Sequence, residues 1–233
     1  MLLRTASLFA ALILFASDSF ALQNVPLEQR VTELKESVAA NGAKLQKYQW
    51  TETATTLVKG ETRKTEQFLC QYGPDGKVQK TLQGTPPAPP EEPHGLRGKI
   101  VAKKVGEMKD YGERLKSLIG EYVPPSQDSI QTVFQAGNAT TFSTPGGIPS
   151  VILNNYYKSG DKVTFDFDPS TKQIRSFTVN TYLDNPKSDV VILTVSFATL
   201  PDGSNHVAST DLQAESKEIE IKSENTDYHI VTK

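Results

Sequence analysis

The side chains able to make or break bonds are few in this chain, and they are scattered. There are three histidines, His94, His206 and His229. His94 falls in a proline-rich stretch, and the other two fall in separate strand-like runs. A zinc centre wants two imidazoles about one helical turn apart, or one beside a glutamate. Neither spacing occurs, so no metal ligand and no catalytic histidine is expected. Asp161, Asp166 and Asp168 invite a calcium reading. The run Asp166-Phe167-Asp168-Pro169-Ser170-Thr171 lacks the Asp/Asn and Gly positions of a calcium loop. Asp168-Pro169 opening a hairpin turn accounts for it more simply. Cys70 is the single cysteine, so no intrachain disulfide can form. A reactive thiolate needs a histidine or a basic cluster beside it, and none is near in sequence. Cys70 therefore reads as a small apolar residue within a strand. Gly146-Gly147 is too short to cradle a phosphate, and no Gly-x-Ser-x-Gly elbow occurs. The expectation is no catalytic residue, no metal and no cofactor. A hydrolase has no support in these residues.

What remains is apolar and aromatic: Trp50, Phe68, Phe165, Phe167, Phe177, Val179 and Phe197, all in strand-like segments. On a flat sheet packed under helices these side chains are core. On a strongly curved sheet that helices do not fill, they line a hollow suited to an acyl chain. The pattern admits both readings.

The segments that would position them divide clearly. Leu27, Val31, Leu34 and Val38 recur at helical steps, with Pro26 suited to the first turn. Asn41-Gly42 can cap this helix, or Ala43–Gln46 can carry it one turn further. From Tyr48 the composition turns to Thr, Tyr and Trp, which favour strands. Strands over 48–58, 63–72 and 77–82 are separated by Lys59-Gly60 and Gly73-Pro74-Asp75-Gly76, forming an antiparallel meander. A proline-rich connector over 84–95 follows. A helical insertion over 96–147 comes next. Its first helix, Leu96 to Tyr122, has an apolar face of Val101, Val105, Met108, Leu115, Leu118 and Ile119. Gly106 and Gly112 weaken that helix. Ser126 can cap a shorter helix bearing Ile130, Val133 and Phe134. The last third reads as strands over 151–157, 163–167, 174–183, 190–200, 206–213, 217–222 and 226–231, with Val163, Phe165 and Phe167 alternating against Thr164, Asp166 and Asp168.

The first 21 residues read as a signal peptide. Arg4 is followed by the apolar run Ser7–Ala16, and Ser19-Phe20-Ala21 offers small residues for cleavage after Ala21. The apolar run is too short to span a bilayer. The expected organisation is a signal peptide over 1–21 and one β-rich domain over 22–233, in a periplasmic or secreted protein. Losing Arg4 and Asp18 together leaves the net charge at −2. That excludes the strong basic footprint of a nucleic-acid binder. The stretch from Arg97 to Glu121 carries seven basic residues against four acidic ones. It suits either a peripheral contact with an anionic membrane or a solvated outer face. Oligomeric state is left open.

The order of elements supports a resemblance. An amphipathic helix, a meander beginning Tyr48-Gln49-Trp50-Thr51-Glu52-Thr53, a helical insertion and a second meander follow the signal-like segment. Leu200-Pro201-Asp202-Gly203-Ser204 and Lys217-Glu218-Ile219-Glu220-Ile221 look like the C-terminal hairpins of exported bacterial relatives. The chain resembles the LolA/LolB-type periplasmic lipoprotein carriers and wider outer-membrane lipoprotein-sorting-like proteins. The resemblance implies an α+β fold: a curved antiparallel sheet, or incomplete barrel, with an N-terminal amphipathic helix and a helical insertion. It also implies an apolar pocket for a lipid or lipoprotein acyl chain, for which the seven apolar residues of the strand pattern are the candidate lining. No residue matches the carriers' functional arginine. The alternative is a structural or protein-interaction module with a filled core and no ligand.

Overall fold

The computed structural model describes residues 27–84, 95–143, 147–171 and 173–231. The signal-like segment and nearly all of the proline-rich connector lie outside these residues. The first helix, α1 (Leu27–Leu45), runs on through Asn41-Gly42. Ten strands follow in one antiparallel sheet: β1 (Tyr48–Val58), β2 (Glu61–Tyr72), β3 (Val78–Gln83), β4 (Ala139–Phe142), β5 (Ser150–Asn154), β6 (Lys162–Phe167), β7 (Ile174–Tyr182), β8 (Val190–Thr199), β9 (Asn205–Ala214) and β10 (Ile219–Ile230). Between β3 and β4 lie α2 (Gly95–Gly120) and α3 (Gln127–Gln135). Ser126 caps α3, its side chain accepting from the Ser129 amide as the sequence suggests.

The spatial order is β3-β2-β1-β10-β9-β8-β7-β6-β5-β4. Two meanders are thus joined where β1 meets β10. The outer strands β3 and β4 do not pair with each other, so the sheet stays open. The ladders slip between Gln49 and Thr51, Thr56 and Leu57, Asp166 and Phe167, and Ser196 and Phe197. Each slip places an extra residue on one strand, which bends it and increases its twist. α1 touches both β9 and β4, which have four strands between them. Its 19 residues span about 28 Å, close to the roughly 24 Å across five strand spacings. The helix therefore crosses these strands rather than lying along one of them.

Two strands expected near the C-terminus, 217–222 and 226–231, are a single strand. The polar run between them is absorbed into β10, whose left-handed Asp227 (φ 57°) lies at the register slip opposite Trp50. The short strand β4 has no signature in sequence, because only Ala139 among its four residues is buried.

The core lies on one face of the second meander. Val151, Leu153, Val163, Phe165, Phe167, Phe177, Val179, Val191, Leu193 and Val195 pack with Val31 of α1, with Tyr111, Leu115 and Leu118 of α2, with Tyr122, and with Ile130 and Val133 of α3. Neither β2 nor β3 contributes to this cluster. The helices thus cover β4–β9 and leave β2, β3 and most of β1 outside the packed layer, with only Val58 at the end of β1 reaching the core.

Candidate ligand-binding face

The structure places the seven apolar residues in two distinct settings. Phe165, Phe167, Phe177 and Val179 are at most 3% exposed and belong to the core under the helices. Phe165 and Phe177 are cross-strand partners whose ring centroids lie 5.0 Å apart. Trp50 and Phe68 belong to the β1–β3 wing, and Phe197 of β8 packs at the margin of the core. Trp50 is buried, while Phe68 and Phe197 are half-buried.

Register shows what joins these three. Leu82 of β3 pairs with Phe68, Phe68 pairs with Glu52, and Glu52 pairs with Asn225 of β10. The β9–β10 ladder ends at Ser209 and Glu224, and side chains take over where it stops. Asn225 Nδ2 donates to the Val207 carbonyl at 3.1 Å, while Asn225 Oδ1 accepts from Trp50 Nε1 at 3.2 Å. Val207 in turn pairs with Phe197. One row therefore runs Leu82–Phe68–Glu52–Asn225–Val207–Phe197, across β3, β2, β1, β10, β9 and β8. All but Glu52 retain partial exposure.

Around this row the first turns of β1 form an aromatic cluster. The Tyr228 ring stacks on Trp50 at 5.3 Å and 6°, Tyr72 approaches Trp50 at 5.5 Å, and the His206 and Tyr228 ring centroids are 4.1 Å apart. The Tyr228 hydroxyl and His206 Nδ1 also donate to Val207 O, at 3.1 and 3.0 Å, so this carbonyl accepts from three side chains where the ladder bonds are missing. Burial raises the Tyr228 pKa well above the ordinary phenol value and lowers that of His206.

The row holds one charged pair. Lys80 Nζ binds both Glu52 carboxylate oxygens, at 2.6 and 2.7 Å. Cys70 lies fully buried on the same face, opposite Trp50 and Lys80. Burial, reinforced by the Glu52 carboxylate, pushes its thiol up to about 11. It is therefore held as a protonated thiol at neutral pH.

The three aspartates do not converge; each serves its own loop or strand. Asp161 is 2% exposed and accepts from the Tyr122 hydroxyl and from the amides of Tyr156, Tyr157 and Lys158. Asp166 lies on the opposite face of β6, bridging Ser150 and Ser176 hydroxyls at 2.6 Å each. Asp168 caps its hairpin turn. The Ser170 hydroxyl and the Thr171 and Ser170 amides hold its carboxyl down at about 2.

A polar cleft of about 480 Å³ opens between α2 and the β7–β8 turn, lined by Tyr111, Arg114, Asp184, Asp189, Ser216 and Lys217 among others. Asp189 organises it by accepting from Tyr111 OH (3.0 Å), Ser216 Oγ (2.5 Å) and the Asp184 amide (3.2 Å). Arg114 pairs with Asp184. These groups satisfy one another and fix the middle of α2 to the sheet.

The sequence signalled the aromatic residues of the row but not its polar members. Glu52 shares the strand phase of Trp50 and Ala54, and a carboxylate in that inward phase was the available signal. Asn225 and Val207 had none, because their roles arise only where two strands part.

No family model matches the chain, and no curated protein matches it in sequence. Solved structures similar to it include a DUF1329 family protein from Desulfovibrio piger, with 9% identity and a TM-score of 0.46, covering 88% of this chain and 93% of that one. A domain described as outer membrane lipoprotein-sorting, from Vibrio parahaemolyticus, shows 9% identity and a TM-score of 0.42, covering 89% and 94%. A LolA superfamily protein from Nitrosomonas europaea shows 8% identity and a TM-score of 0.38, covering 85% and 94%.

Proposed function

We propose that this chain is an exported, non-enzymatic binding protein that holds a lipid acyl chain or another apolar group against its sheet. The supporting observation is the half-exposed row Leu82–Phe68–Asn225–Val207–Phe197, which begins on the wing outside the helix-covered layer and ends with Val207 and Phe197 at the margin of the core. In this reading the guest lies across β3, β2, β1, β10 and β9, with Trp50 forming the floor and Phe197 the end wall. Each methylene removed from water contributes about 0.8 kcal/mol, and association costs at least about 4 kcal/mol, so chains beyond about five methylenes gain affinity with length. The Glu52–Lys80 pair meets the polar end of the guest. Among the described residues no helix is long and apolar enough to cross a membrane.

The test is solvent extraction of the natively purified protein, followed by mass spectrometry. A stoichiometric lipid that disappears in Phe68→Asp and Phe197→Asp supports the reading. Its absence, with no binding of added fatty acids of increasing length, overturns it. A second reading rests on the near-complete burial of Phe165, Phe167, Phe177 and Val179. In that reading the sheet is a filled module whose partner is a protein. Absence of bound lipid together with wild-type stability of the two Asp variants favours it.

A further inference from the structure

We propose that the N-terminal half of α2 is a docking surface for anionic lipid headgroups, separate from the sheet and independent of any guest held there. The helix divides sharply at Tyr111. Beyond it, Tyr111, Leu115 and Leu118 are buried, and Tyr111 and Arg114 bond to the β7–β8 turn. Before it, every residue from 101 to 110 is exposed. An apolar stripe nevertheless continues through this half. Val101, Val105 and Met108 follow at steps of four and three, and are 38%, 62% and 38% exposed.

Charge identifies the partner. At 100° per residue, Lys104 and Lys109 fall about 70° to either side of the stripe, whereas Glu107 and Asp110 fall on the far face. Lys103 is also on the far face, in a loose pair with Glu107 at 3.9 Å. The apolar centre is thus flanked by cations, and the nearby carboxylates are turned away. This is the arrangement of a helix lying in a lipid interface, with lysine stems along the apolar surface and ammonium groups reaching phosphates. From Arg97 to Lys109 the sequence has five basic residues and one acidic residue, so the whole segment is drawn to negative charge.

The experiment is flotation of the full chain with two kinds of vesicle, phosphatidylcholine alone and equal parts phosphatidylcholine and phosphatidylglycerol. Binding is expected to the anionic vesicles only, and to fall on raising salt to about 1 M, where the Debye length shrinks to about 3 Å. Lys104→Gln with Lys109→Gln should weaken it about 25-fold, near fivefold per lysine. Val105→Asp should weaken it as well, with unchanged thermal unfolding because the site is exposed. Equal binding to both vesicle types, or wild-type binding by the double variant, overturns the proposal. So does lipid-free dimerisation abolished by Val105→Asp, which would make a second copy the partner of the stripe.

Discussion

The hydroxyl of Tyr122 donates to Asp161 Oδ2 at 2.6 Å, with the tyrosine fully buried and the aspartate 2% exposed. Tyr122 follows the end of α2, and Asp161 precedes β6, so this bond ties the helical insertion to the sheet. Thr181 of β7 completes it, 2.8 Å from the same hydroxyl. Burial and the Asp161 acceptor keep Tyr122 protonated far beyond neutral pH. Tyr122→Phe removes one of the four donors to Asp161 and leaves buried acceptors short. A loss of about 1–3 kcal/mol is expected from urea unfolding, and Asp161→Ala should cost more, because three loop amides lose their acceptor as well.

Glu52 and Lys80 test how the wing tolerates charge. Lys80 keeps 46% of its side chain exposed against 11% for Glu52. Lys80→Met leaves Glu52 enclosed without its cation, and a destabilisation of about 1–3 kcal/mol is expected, less than for a fully buried pair because solvent screens the lysine end. Glu52→Gln with Lys80→Met should recover most of that loss. A double-mutant cycle by chemical denaturation measures the coupling, and additivity of the two changes would contradict the pairing.

Acid should act in two stages. The folded-state pKa of His206 lies below its ordinary value near 6.5, because burial disfavours the imidazolium. The unfolded chain therefore binds the extra proton first. The stabilisation is complete above about 6.5 and is lost as pH falls through the folded-state pKa. The carboxyls of Asp189 and Asp168 are also lowered. For Asp189 burial opposes the shift, but hydrogen bonds from Ser216, Tyr111 and the Asp184 amide outweigh it. Their contribution is lost only below about 3.8, at lower pH than that of His206. Thermal melts should show the first decline as pH falls below about 6.5, and His206→Gln should flatten that step alone.

Phe165→Ala and Phe197→Ala should separate core from surface. The first removes a 1%-exposed ring that meets Phe177, with an expected cost of about 3–5 kcal/mol. The second removes a half-buried ring at the core margin and should cost clearly less. Equal losses in calorimetry would mean that the core margin is packed as tightly as its centre.

Gly112 sits within α2, and a Cβ added there meets no atom within 4 Å. Its φ is not in the left-handed region, so alanine fits the helix directly. Gly112→Ala should stabilise the fold by about 0.5–1 kcal/mol. A lower melting temperature would place α2 differently.

Much of this architecture could be read from strand phase. Val163, Phe165 and Phe167 alternate with polar residues, and that alternation alone placed them on one face. Lys59-Gly60 supplied a hairpin through two left-handed residues, φ 57° and 75°. Phase could not say which part of the face the helices cover. That depends on α2 and α3 meeting β5–β8 across long sequence separations, as in the Tyr122–Thr181 contact. It also could not reveal the division of α2. Val105 and Leu115 are equivalent in sequence pattern, and only the position of the β7–β8 turn leaves one exposed and the other 2% exposed.

The pairing of β1 with β10 has a consequence for the order of assembly. Thr51 meets Thr226, so the first meander and the second are stitched together by residues 175 positions apart. Each meander can zip locally, but their union must wait for the far strand to emerge and close a very long loop. Until then β1 presents a bare edge, and Trp50 lacks both Asn225 and Tyr228. The two meanders are therefore expected to stay unjoined until β10 is available to pair with β1.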